Sequence, residues 1–114
     1  MDLSAFAGTW VNTNSGPRQV DKILLRPQGE NLFVHVYGSS HPAPKAWGET
    51  SAESIYADGL NSSRGMAFLA SYKFPEMNVN LGVNLNQGLL VMALFTSFEG
   101  NGQSNYFARE FFCQ

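Results

Sequence analysis

The sequence predicts an all-β fold: one antiparallel up-and-down β-barrel of about eight strands, entered through a short N-terminal helical turn. Three observations predict it. β-rich runs recur along the chain, cut by Gly, Pro and Asn. The links between runs are short, as hairpins require. No crossover helix separates the runs, which argues against a parallel sheet. At 114 residues, all of 1–114 is expected to form a single domain.

In chain order, Asp2 to Ala7 reads as one helical turn, with Leu3 and Phe6 plugging a barrel end. The first strand is Gly8 to Asn12, ended by Asn14-Ser15-Gly16-Pro17. The second is Val20 to Leu25, and Pro27-Gln28-Gly29 turns it. The third is Asn31 to Tyr37, followed by a loop rich in Ser and Pro. The fourth covers about Ala46 to Tyr56, and Asp58-Gly59 ends it. The fifth is Gly65 to Phe74, with Pro75 as the stop. The sixth is Met77 to Leu85, and Asn86-Gln87-Gly88 reverses the chain. The seventh is Leu89 to Phe98, and the eighth is Ser104 to Cys113.

Side-chain alternation sorts the faces. Met77, Val79, Leu81 and Val83 alternate with Asn78, Asn80, Gly82 and Asn84, giving one buried and one wet face. Two strands do not alternate: Leu32 to Tyr37 and Leu89 to Phe95 are largely apolar on both sides. A strand that is apolar on both sides needs a second cover, so a homo-oligomer is expected, a dimer or a higher form. The other reading is scattered surface hydrophobics, which are common on monomers.

Composition narrows the function classes. Hydrophobic residues are 44% and charged residues 14%, which favours a packed core over disorder. The formal charge is −2 and the few Lys and Arg are scattered, which argues against nucleic acid. The longest apolar run is too short for a membrane helix, so no membrane partner is expected. The one cysteine, Cys113, permits no internal disulfide, and no His/Cys cluster calls for a metal. No cofactor motif appears. A cytoplasmic location is the simplest expectation. Secretion stays open, and would give meaning to the sequon Asn61-Ser62-Ser63.

The opening Gly8-Thr9-Trp10-Val11-Asn12, with Arg109 in the last strand, resembles the calycin β-barrels, the group of lipocalins, fatty-acid-binding proteins and avidins. The resemblance implies that Gly8, Trp10 and Arg109 close the barrel, the guanidinium stacking on the indole. Within that group the first strand is most similar to avidin's, which implies ligand contacts from Asn12 and, with a one-residue shift, Ser15. Avidins line their pocket with several tryptophans and this chain has two, so the resemblance does not extend to biotin. Phe33 to Gly38 with Trp47-Gly48-Glu49 is also similar to a motif of small bacterial proteins, which implies no activity.

Several residues are candidates for chemistry. Asn12 shares a face with Trp10; as a buried amide it meets a ligand or an internal polar network. His35 and Tyr37 form either a polar patch in a pocket or part of an oligomer contact. Trp47 follows a Pro-rich loop, where it closes over a ligand or seals the core. Glu49 and Glu53 share a strand face; His35 and Glu49 are the candidate catalytic groups. No nucleophile motif is present. The leading expectation is a protein that binds a small apolar or amphipathic molecule inside the barrel, through Asn12, Ser15, His35, Tyr37 and Trp47. The alternatives are a cofactor-free isomerase or cyclase using the same pocket, and a lectin-like carbohydrate or protein interaction module using loops 39–46 and 57–64.

Overall fold

A computed structural model describes residues 1–39, 45–100 and 102–114. A 3-10 turn at Ser4–Phe6 leads into strands β1 (Gly8–Asn12), β2 (Val20–Gln28), β3 (Asn31–Gly38), β4 (Lys45–Ser51) and β5 (Ser54–Ala57). Strands β6 (Gly65–Phe74), β7 (Met77–Asn86), β8 (Leu89–Phe98) and β9 (Tyr106–Cys113) complete the chain. Each long strand is punctuated by the residues its turn needs. At the β7–β8 hairpin, Gln87 and Gly88 both take positive φ, 52° and 83°, the conformation of a tight type I′ turn.

All nine strands join one antiparallel sheet in the order β4-β3-β2-β1-β9-β8-β7-β6-β5. The sheet curls through 258° about an axis and stops, with its edges 9 Å apart. It is an open half-barrel, which corrects the expected closed barrel of eight strands. The first and last strands do meet, through Val11↔Cys113 and Asn12↔Phe112. The opening lies on the opposite side, between β4 and β5.

The cause is a break in the expected fourth strand. The Ala52 N–H donates to the Leu32 carbonyl of β3 at 2.9 Å, and the next amide, Glu53, donates to Leu69 of β6 at 2.7 Å. The chain therefore crosses from one sheet edge to the other within two residues. Its first half, β4, pairs only with β3, and its second half, β5, pairs only with β6. Neither half carries a ladder on both sides, so beyond the crossing at Ala52 and Glu53 no backbone ladder closes the ring among the described residues.

Side chains span the opening instead. Opposite Val36, strand β4 carries a bulge: His35 pairs with Glu49 and Tyr37 with Ala46, leaving Trp47 and Gly48 across from one residue. Gly48 takes φ +96°, which a side chain there would resist. The bulge leaves the Val36 amide and the Gly48 carbonyl without ladder partners. The Tyr72 hydroxyl, reaching over from β6, accepts from Val36 N–H at 3.2 Å and lies 2.8 Å from the Gly48 carbonyl oxygen and 3.2 Å from that of Val34. Burial pushes its pKa up to about 12, against the opposing hydrogen bond from Val36. Trp47 packs edge-on against Tyr72 and Phe74, with ring centroids 5.5 and 5.6 Å away. Its indole lies against Gly38, where any Cβ would collide with it.

The concave side is filled. Ile23, Leu32, Val34, Val36, Phe68, Leu81, Met92, Leu94 and Phe112 are all sealed from solvent in one cluster. Leu3 and Phe6 close one end, and the Trp10 indole N–H donates to the Phe6 carbonyl at 2.9 Å. Each fully buried aromatic or aliphatic side chain contributes about 1.5–3 kcal/mol relative to exposure. This packing removes the hollow that a barrel-enclosed ligand needs. Both the ligand-carrier expectation and its isomerase or cyclase variant are corrected accordingly.

Candidate functional site

The calycin resemblance fails in detail as well as in closure. Along β9, Ala108, Glu110 and Phe112 alternate inward, so Arg109 projects from the outer face. Its guanidinium lies over the Phe107 ring at 5.5 Å, while Trp10 is buried on the other side of the sheet. Gly8 lies beside the Gln114 side chain, which donates from Nε2 to the Ala7 carbonyl at 2.8 Å.

The other candidate residues do not converge. Asn12 donates from Nδ2 to the Val20 carbonyl at 2.8 Å and to Glu110 Oε1 at 3.1 Å, and accepts from the Asn14 amide. Glu110, a residue the sequence did not single out, also accepts from the amides of Gln19 and Val20 at 2.7 and 2.9 Å. Together they clasp the turn between β1 and β2 to β9. Ser15 is exposed in that turn.

Strand β3 turns Leu32, Val34 and Val36 inward and sets Phe33, His35 and Tyr37 on the outer face. There His35 stacks flat on Tyr37, with ring centroids 4.6 Å apart, and Lys22 Nζ sits 4.7 Å from the Tyr37 centroid. Arg26 covers Phe33 at 4.5 Å and pairs with Glu49 at 3.3 Å. His35 Nε2 is buried without a partner among the described residues. Trp47 faces the interior of the seam, away from this group.

The loop-borne alternative involves two loops, one of them only partly described. Residues 40–44, the centre of one proposed interaction loop, lie outside the described residues. The loop 57–64 is partly held by its own hydrogen bonds, while Leu60 at its tip is fully exposed. Arg64 bonds Asp58 through Nε and Nη2, and the Arg64 amide donates to Ser62 Oγ. Hydrogen bonding from Ser62, then Arg64, holds the Asp58 carboxyl below its ordinary range. A parallel bridge ties Asp2 to Arg64.

The feature that remains is the outer face of β7, β8 and β9. Phe95 stands directly opposite Phe107, with ring centroids 5.1 Å apart. The next row sets Gly82, Ala93 and Arg109 side by side, and the following one sets Asn84, Val91 and Phe111. Phe95 is 52% exposed, Phe107 50% and Phe111 43%, with Leu69 of β6 at 46% beside them. At about 200 Å2 per phenylalanine, the three rings leave roughly 300 Å2 in water. That equals the largest apolar patch of many monomers before Leu69, Val91 and Ala93 are added. The sequence showed Leu89 to Phe95 as apolar on both sides, but not that β9 would place Phe107 and Phe111 beside it.

A shallow hollow of about 240 Å3 opens on the same face, lined by Glu53, Leu69, Asn80, Gly82 and Phe95. Gly82 makes it: a Cβ built there meets only Leu69 Cδ2, at 3.7 Å. Among the described residues no helix is long and apolar enough to cross a membrane, and no group of three or more His, Cys, Asp or Glu is placed to hold a metal. No protein family, curated protein or solved structure matches this chain.

Proposed function

We propose that this chain is an assembly unit whose outer β8–β9 face is covered by a second copy of itself. The observation that carries the reading is the cross-strand Phe95–Phe107 pair, half exposed at the centre of a face with a single charge, Arg109, on β8 and β9. Aromatic enrichment with few charges marks the core of protein interfaces. A two-fold contact uses the same patch on both partners, so a patch holding both protruding rings and a recess suits it.

The two strands that are apolar on both sides separate under this reading. The outer aromatics of β3 are covered within the chain by Lys22 and Arg26. Among the described residues those of β8 and β9 have Arg109, which lies over Phe107. Sedimentation velocity on the full chain over a concentration series tests the proposal. The expected result is a dimer mass that Phe95→Asp or Phe107→Asp converts to a monomer with unchanged circular dichroism. A wild-type chain that stays monomeric up to its solubility limit overturns it.

A further inference from the structure

The outer face of β6–β9 carries a knob, a recess and the opposite charges Arg109 and Glu53, with Lys73 two rows further along β6. Phe107 on β9 is the knob, and the recess over Gly82 lies on β7, the far side of β8. Its volume of about 240 Å3 exceeds the space a benzene ring needs, since an engineered cavity of about 150 Å3 holds one. Arg109 lies two strands from Gly82 in the same row. Glu53 lines the recess from the β6 side, its amide bonded to Leu69. Neither Arg109 nor Glu53 forms an ion pair among the described residues.

A two-fold axis running along β8 in the plane of contact superposes the β9 side of one copy on the β7 side of the other. Rows stay at the same height, because the rotation leaves distance along the axis unchanged. Phe107 then faces the neighbourhood of Asn80 and Gly82, and Arg109 faces the row of Gly82 and Leu69, with Glu53 beside it. Resting on the self-association proposed above, we infer that two copies pack about this axis. Phe107 of each packs on Asn80 at the edge of the other's recess, the two Phe95 rings meet at the axis, and Arg109 lies over Gly82 and pairs with Glu53 across the interface. The convex sheet confines contact to β6–β9, so the knobs and the crossed ion pairs fix the register.

Dimer dissociation constants of full-length variants test the packing. Glu53→Lys and Arg109→Glu each place like charges together and weaken the dimer about tenfold or more, and the double variant restores it to within about threefold. Gly82→Val fills the recess and weakens the dimer comparably. Its thermal unfolding reports folding separately, and the open space at that Cβ leaves the monomer intact. The packing is overturned if Phe95→Asp abolishes the dimer while charge reversal and Gly82→Val leave it unchanged. In that case self-association through the aromatic face still stands. If the wild-type chain is monomeric, both fall together.

Discussion

Replacing Tyr72 with Phe tests how the opening in the sheet is held. The substitution keeps the ring that packs against Trp47 and Phe74 and removes only the hydroxyl. Two backbone groups lose their partner: the Val36 amide, on a fully buried residue, and the Gly48 carbonyl at the bulge. A polar group left unpaired out of water costs about 1–3 kcal/mol. Gly48 is exposed and its carbonyl can recover water, so the Val36 amide dominates and the sum is about 2–3 kcal/mol. In urea the midpoint should fall by about 1–2 M with an unchanged slope. The pH dependence gives a second readout. The folded pKa of Tyr72, about 12, stands above the free value of 10.0. The neutral hydroxyl is thus favoured by folding, and its contribution is complete below pH 10 and lost as pH rises towards 12. The stability gap between wild type and Tyr72→Phe should narrow over that window. A midpoint shift below about 0.3 M, or a gap constant to pH 12, would refute the assignment of Tyr72 as the tie across the seam.

Glu110→Gln replaces an acceptor of three hydrogen bonds with a group that must turn an NH2 towards an N–H donor. Thermal unfolding should report a loss of about 2 kcal/mol, and an unchanged midpoint would remove Glu110 from the β1–β2 clasp. Gln87 holds φ 52° in its turn, a conformation Asn tolerates better, so Gln87→Asn should stabilise by about 0.5–1 kcal/mol in chemical denaturation. Phe111→Ser should lower the dimer affinity and cost the monomer about 1–3 kcal/mol in chemical denaturation, because more than half of the ring is covered by its neighbours on the sheet. Loss of folding in that variant would mean that the ring supports the sheet itself.

Strand positions were legible because alternation and turn residues are local signals. Val79, Leu81 and Val83 face the core, and Asn78, Asn80 and Asn84 face out, as their period of two requires. Closure was not legible, because it depends on where one strand breaks. Ala52 and Glu53 carry no Gly or Pro, and the reason their amides point to opposite edges is tertiary: Leu32 and Leu69 offer carbonyls on either side. The Gly8-x-Trp10 signal misled for a related reason. It fixes the burial of Trp10 under the N-terminal turn, but whether Arg109 reaches the indole depends on the parity of β9. Phe112 inside and Phe111 outside set that parity.

The same parity explains why one doubly apolar strand is satisfied and the other is not. An outer aromatic is shielded within the chain by long side chains two residues away on its own strand or opposite it on the adjacent ones. Next to β3, strand β2 supplies Lys22 and Arg26 to the outer face, and their stems and charges lie over Tyr37 and Phe33. Next to β8, strand β7 supplies Asn80, Gly82 and Asn84, which are too short to reach over a phenyl ring, and β9 adds two more phenylalanines. Lengthening that β7 column should therefore do inside one chain what a second copy is proposed to do from outside. Asn80→Arg is the direct form of this change, since Asn80 is the cross-strand neighbour of Phe95. It should shield the ring, weaken self-association and leave the core untouched. An Asn80→Arg chain that dimerises as tightly as wild type would mean that the exposed rings are not what holds two copies together.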